Sequence, residues 1–280
     1  FASSLIIRSL ATQEREDTLA ILNRYIDEDK CLAEISWGVV FADVVPESIL
    51  ENVVSAAIRC RDNDAVSNIV RGLSRLQTFS ATIILSLLRA IEAQSKVGYF
   101  TWAQWTYARD EPVVSEICSQ YPDRILQCLI ATPNINHHEE ELLLQIAQRH
   151  PSAIFDFFFK RLEFSRTEKF EDDFHYSAIP FGLTRLREVL ESSSSEALTS
   201  FLNRVRFTPD DQRWIAIELL AQLLNLRSIP LKNFVYTLIN SEKESDRELA
   251  FSILNKFDSS ALTHEFYKAL IVKSPRNKQM

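Results

Sequence analysis

The chain has 280 residues, 46% of them hydrophobic and 25% charged, with a formal net charge of −7 and a pI near 5.4. That composition supports a sizeable packed core and excludes a disordered chain. The acidic balance speaks against a protein whose main work is coating nucleic acid, because neutralising phosphates needs clustered Lys and Arg. Only four residues are glycine (Gly38, Gly72, Gly98 and Gly182), against a usual share of about 7%. Isolated glycines cannot build phosphate-cradling loops, and neither G-x-x-x-x-G-K-(S/T), G-x-G-x-x-G nor G-x-S-x-G occurs. No cofactor is expected.

Helical periodicity dominates from the start. The chain opens at Phe1 on a stretch that reads as a helix already under way, so a segment of a longer protein is expected. Leu19, Leu22 and Ile26 share one face of a second helix, and Trp37, Val40, Phe41 and Val44 keep helical spacing through a β-branched stretch. The segments 46–60, 79–92, 139–148, 210–224 and 246–257 behave alike. Pro46, Pro112, Pro122, Pro151, Pro209 and Pro230 each precede an amphipathic run, as suits a residue whose missing N–H would be unpaired at a helix start. Cys31, Cys60, Cys118 and Cys128 form no C-x-x-C pair and sit among apolar or helix-forming neighbours. They are read as buried free thiols in a reducing, cytoplasmic setting. No apolar run approaches the roughly 18 residues that span a membrane.

Several clusters invite a functional reading. Tyr99, Phe100, Trp102, Trp105 and Tyr107 crowd beside Gly98; Trp102 and Trp105 share a helical face, and such residues are enriched in binding hot spots. His137-His138 followed by Glu139-Glu140-Glu141 lacks the H-E-x-x-H pattern, and acids in a first turn are explained by the helix dipole, so no metal is expected there. Phe155, Phe157, Phe158 and Phe159 form the densest aromatic group and are read as core of a helix buried on two sides. Residues 163–177 read as a charged, irregular connection. Within it Glu171, Asp172, Asp173 and His175 lack the second half of a catalytic site. Connections on rigid scaffolds often carry function, so Phe170, Asp172 and Asp173 join Trp102, Trp105 and Tyr107 as candidate partner-binding residues. The resulting organisation is a helical segment 1–162, the connection 163–177, a helical segment 178–272 and a basic tail 273–280.

Two echoes suggest repetition. Pro46-Glu47-Ser48-Ile49-Leu50, Pro122-Asp123-Arg124-Ile125-Leu126 and Pro151-Ser152-Ala153-Ile154-Phe155 share P-x-x-I-(L/F), the last two 29 residues apart. Arg213-x-x-Ala216-x-x-x-Leu220 and Arg247-x-x-Ala250-x-x-x-Leu254 lie 34 residues apart, each with an acid (Asp211, Asp246) just before the Arg. This acid-led R-x-x-A-x-x-x-L resembles the second helix of a HEAT or armadillo-type repeat. The resemblance implies an all-α fold, a right-handed α-solenoid of stacked antiparallel helix pairs. It further implies a non-enzymatic scaffold or sensor that binds a protein partner along one face, with oligomerisation through other parts of a larger protein. Tyr176-Ser177-Ala178-Ile179-Pro180-Phe181 is similar to Ile-Pro stretches in the helical C-terminal regions of large bacterial signalling and antiviral-defence proteins. Some HEAT-like folds bind DNA, and Arg59, Arg61, Arg71, Arg75 and Arg89 give one stretch a basic bias. Nucleic-acid binding is therefore the alternative expectation, set against the overall acidity.

Overall fold

A computed structural model describes residues 2–10, 15–95, 112–135, 137–167, 176–257 and 261–273. Among them every regular element is an α-helix. The chain divides into two compact units, 1–132 and 133–280.

The first unit holds α1 (Ala2–Leu10), α2 (Arg15–Asp27), α3 (Leu32–Val40), α4 (Glu47–Arg59), α5 (Asn63–Leu73), α6 (Ala81–Ser95), α7 (Pro112–Gln120) and α8 (Pro122–Leu129). Helices α1, α3 and α5 pack in series, as do α2, α4, α6 and α8, and from α1 to α6 each helix also packs on its sequence neighbour. Polar ties follow the same order. The Asn52 amide donates to Asn23 Oδ1 (3.4 Å), Arg89 to Ser55 Oγ (3.1 Å), and Arg124 forks onto both Glu92 oxygens (2.6 and 2.8 Å). These pairs are 29, 34 and 32 residues apart and join α2 to α4, α4 to α6 and α6 to α8.

The second unit holds α9 (His137–Ala147), α10 (Pro151–Thr167), α11 (Thr184–Glu191), α12 (Ser195–Arg206), α13 (Asp210–Leu223), α14 (Ile229–Ile239), α15 (Glu244–Leu254) and α16 (Ala261–Lys273). Here α9, α11, α13 and α15 pack in series, and so do α10, α12, α14 and α16. The phenylalanine cluster of α10 is core: Phe155, Phe157, Phe158 and Phe159 are all buried, and Phe155 stacks on Phe201 of α12 with ring centroids 4.3 Å apart.

The proline expectation holds at all six positions. Pro46 and Pro209 precede the first residues of α4 and α13, Pro112, Pro122 and Pro151 open α7, α8 and α10, and Pro230 is the second residue of α14. Two helix ends use a left-handed residue that is not glycine. Asp29 (φ 54°) and Arg61 (φ 54°) are left-handed without being glycine. Around Arg61 the Asp62 N–H reaches the Ala57 carbonyl (3.0 Å) and the Arg61 N–H the Ile58 carbonyl (3.2 Å). Around Asp29 the Lys30 N–H reaches Tyr25 (2.9 Å) and the Asp29 N–H reaches Ile26 (3.1 Å). Both are Schellman caps, whose left-handed position is normally held by glycine.

Two sequence expectations are corrected. Cys31 and Cys60 are exposed and only Cys118 and Cys128 are buried, because Cys31 precedes α3 and Cys60 ends α4, where helix faces give way to loops. The irregular connection begins later than residue 163, since α10 continues through Thr167 with Phe164 still partly covered.

Candidate functional site

The six residues singled out for partner contact, Trp102, Trp105, Tyr107, Phe170, Asp172 and Asp173, lie outside the described residues, as does the basic tail from 274. Among the described residues no group of three or more His, Cys, Asp and Glu side chains is placed to hold a metal ion. Nor is an activated thiol evident where a shift is resolved: burial pushes the Cys118 thiol up to about 12, and Cys60 also lies above its ordinary value, desolvation being the main cause. Thiolate nucleophiles need the opposite shift. No described helix is long and apolar enough to cross a membrane.

What the described residues do assemble is a surface on the second unit centred on α13. The core face of this helix is Ala216, Ile217, Leu219, Leu220 and Leu223. Trp214 falls away from that face, alongside the acidic side chains of the first turn, and stays 64% exposed. Gln212, Ile215 and Ala216 line a groove of about 250 Å³ shared with Phe159, Leu162 and Phe207, the last 73% exposed at its rim. Arg213 lines a second groove, about 490 Å³, with Arg247, Phe251 and Leu270. Phe251 is 47% exposed and meets Tyr267 edge-on at 5.9 Å. Trp214 therefore stands on the helix whose two flanks contribute to two grooves, with an exposed phenylalanine at each. Exposed aromatic side chains around apolar recesses are the usual anchors of protein interfaces.

Charged groups hold this surface in place. Arg204 lies over the Phe159 ring (4.1 Å to its centroid) and bonds Asp156 (2.8 Å) and Glu163 (3.3 Å), so α12 is tied to α10 beneath the smaller groove. Arg206 forks onto Asp246 (3.1 and 2.5 Å), whose Oδ2 also accepts from Ser241 Oγ (2.6 Å). Asp246 is buried, and the Arg206 guanidinium holds its carboxyl below the usual range despite desolvation. The acid before Arg247 thus clamps a neighbouring helix rather than merely complementing a helix dipole. Its sequence counterpart Asp211 is exposed and, among the described residues, reaches Arg166 at 3.9 Å. The two arginines of the echo also diverge: Arg213 pairs with Asp210, whereas Arg247 donates to the Ser241 carbonyl (2.7 Å) and clamps the turn before α15.

A buried arginine anchors the far end of the charged connection. Arg161 of α10 has no exposed surface; its guanidinium donates to the carbonyls of Ser177 (2.6 Å) and Pro133 (3.3 Å) and lies 4.6 Å from the Tyr176 ring. Burial lowers its pKa to about 10, still well above neutrality. The Ile-Pro stretch that follows is consequently fixed at its first residues, while Phe181 projects into solvent.

The first unit carries a groove of about 920 Å³ where the end of α4, the start of α5 and the second half of α6 meet. Arg61, Arg89 and Glu92 stand over an aliphatic floor that includes Ile58 and Val66. Of the arginines noted in the sequence, Arg59 is paired with Asp29, and Arg71 and Arg75 do not line this groove.

Trp214 was readable in the sequence, because in R-x-x-A-x-x-x-L it lies opposite the Ala–Leu core stripe on a charged face; a tryptophan there is a surface signal. Arg206–Asp246 and the Arg61 groove join residues too far apart for any local pattern to link. No protein-family model, curated protein or solved structure matches the chain.

Proposed function

We propose that this chain is a non-enzymatic helical-repeat scaffold or sensor. It is a right-handed α-solenoid of stacked antiparallel helix pairs, similar to HEAT and armadillo proteins, that binds a protein partner through the α13 face of its second unit. The observation that carries this reading is the exposure of Phe207, Trp214 and Phe251 around two grooves whose walls are cross-braced by Arg204 and Arg206. Exposed apolar side chains gathered beside recesses and rimmed by charged groups mark interaction sites. Serial packing of alternate helices, with polar ties recurring every 29 to 34 residues in the first unit, supports the repeat architecture. The four cysteines are free, which supports a reducing, cytoplasmic setting.

The test is quantitative affinity capture from the native cell, comparing wild type with the triple variant Phe207→Ala, Trp214→Ala and Phe251→Ala. The reading expects at least one protein enriched by wild type and lost from the variant, with both proteins unfolding at similar temperatures. Identical capture by the two would defeat it.

A further inference from the structure

The groove of about 920 Å³ belongs to the first unit and not to the α13 face; two of its arginines, Arg61 and Arg89, come from the basic stretch noted in the sequence, and one of its walls is unusual. Arg61 occupies the left-handed position of the Schellman cap on α4, with φ 54°. Glycine is the residue suited to that conformation, since an L side chain there is strained. Asp29, at the matching position after α2, is also left-handed, but its carboxylate is engaged by Arg59. No hydrogen bond or ion pair engages the Arg61 guanidinium among the described residues, and the side chain is exposed at the groove. The two Schellman bonds account for the left-handed backbone at Arg61, but they leave its guanidinium without a partner among the described residues.

The charge of the groove is also unbalanced. Glu92 is already neutralised by the two-point Arg124 fork. Arg89 touches Ser55 Oγ at 3.1 Å and meets Glu51 only at 3.8 Å, where Glu51 is 74% exposed; such a surface pair is weak. Two guanidiniums are thus left facing a recess floored by Ala57, Ile58, Val66 and Ala93. Guanidinium is the group best matched to carboxylates, which it binds in two-point fashion, and the aliphatic floor accepts apolar side chains.

We propose that this groove is a second binding site, for an acidic segment of a partner protein that alternates carboxylate and aliphatic side chains. The carboxylates pair with Arg61 and Arg89 and the aliphatic groups settle on the floor. Two guanidiniums in an acidic chain do not track a run of phosphates, and the apolar floor offers nothing to a sugar-phosphate backbone.

The experiment titrates the whole chain into a fluorescein-labelled peptide of alternating glutamate and leucine, read by fluorescence anisotropy. Controls are the lysine–leucine peptide and a labelled oligothymidylate. The acidic peptide is expected to bind and to weaken with added salt, while both controls fail. Arg61→Gly is expected to weaken binding by about tenfold or more, the loss of one well-placed charged pair. The same variant keeps or raises the unfolding temperature, because it relieves the left-handed strain. Arg61→Glu, which retains the strain, abolishes binding, and the triple alanine variant of the α13 face leaves it unchanged. Equal binding of the acidic and basic peptides, binding of the oligothymidylate in preference to the acidic peptide, or an Arg61→Gly variant of undiminished affinity would each overturn the proposal.

Discussion

Gly72 of α5 sits against Val40 of α3 so closely that a Cβ added to the glycine would stand 2.6 Å from Val40 Cβ. The same relation recurs one helix earlier, where a Cβ on Gly38 of α3 would lie 2.5 Å from Ile6 Cγ2 of α1. The two glycines are 34 residues apart, the spacing of the R-x-x-A-x-x-x-L echo in the second unit. In a chain nearly stripped of glycine, both of these positions, in the last turns of α3 and α5, mark close approaches between serially packed helices. Gly182 is the turn glycine, with φ 76° and open space around it.

Gly72→Ala is accordingly expected to destabilise the protein by about 1–3 kcal/mol through overpacking. In an open helix interior the same change would stabilise by up to about 1 kcal/mol. Urea unfolding measures the sign. Val40→Ala in the same chain should recover part of the loss, because it removes the Val40 Cγ2 methyl that the new Cβ meets most closely, though the Val40 Cβ contact remains; a stabilised Gly72→Ala variant would contradict the packing.

Asp246→Asn is expected to cost about 1–3 kcal/mol at neutral pH, since it converts a charge-assisted fork on Arg206 into a weaker contact within a buried site. Pairing with Arg206 lowers the folded pKa of Asp246 below its ordinary value. Its contribution is therefore fully present above the ordinary aspartate range near 4 and is lost as pH falls through the lowered folded pKa. The stability gap between wild type and Asp246→Asn should shrink below about pH 4, as measured by denaturant unfolding across pH.

Arg161→Met preserves most of the buried volume but removes the donors to the Pro133 and Ser177 carbonyls. A loss of about 1–3 kcal/mol is expected from stranding the Ser177 carbonyl, since the Pro133 carbonyl keeps its bond from the Ser177 N–H. Hydrogen exchange should rise first at Ser177, whose N–H donates to the Pro133 carbonyl at 2.8 Å.

Glu140 of α9 supplies a cap that α11 lacks. Leu183 precedes α11 and offers no side-chain acceptor, whereas the buried Glu140 carboxylate accepts from the Leu186 N–H at 3.0 Å. Glu140→Ala is expected to cost about 1 kcal/mol or somewhat more, in the range of a lost N-cap. Protection of the Leu186 amide should fall more than that of amides at the C-terminal end of α11.

Helix starts were legible in the sequence because proline encodes them chemically: a missing N–H and a fixed φ suit a first turn whatever the rest of the chain does. Helix ends were not, because nothing in the side chains of Asp29 or Arg61 announces a left-handed backbone. Spacing alone suggested the Arg213 and Arg247 echo, yet the two arginines take different partners, since the local pattern cannot say whether Asp211 or Asp246 will find an arginine on another helix. The charged residues after Leu162 looked irregular, although Glu163 and Arg166 are simply the wet side of α10. The α13 surface depends on grooves that bring Phe207 and Phe251, from other elements, to the two flanks of the helix that carries Trp214, a relation that only packing creates.

The central claim, that the α13 face is where a protein partner sits, is tested most directly by photo-crosslinking in the native cell with a benzophenone side chain placed at 214. Asn233 on α14 serves as the comparison position. The account predicts one dominant crosslinked protein from position 214 and little or none from 233, with the product lost when Phe207 and Phe251 are changed to alanine. Equal crosslinking from both positions, or a product from 214 that survives those alanine changes, would contradict it.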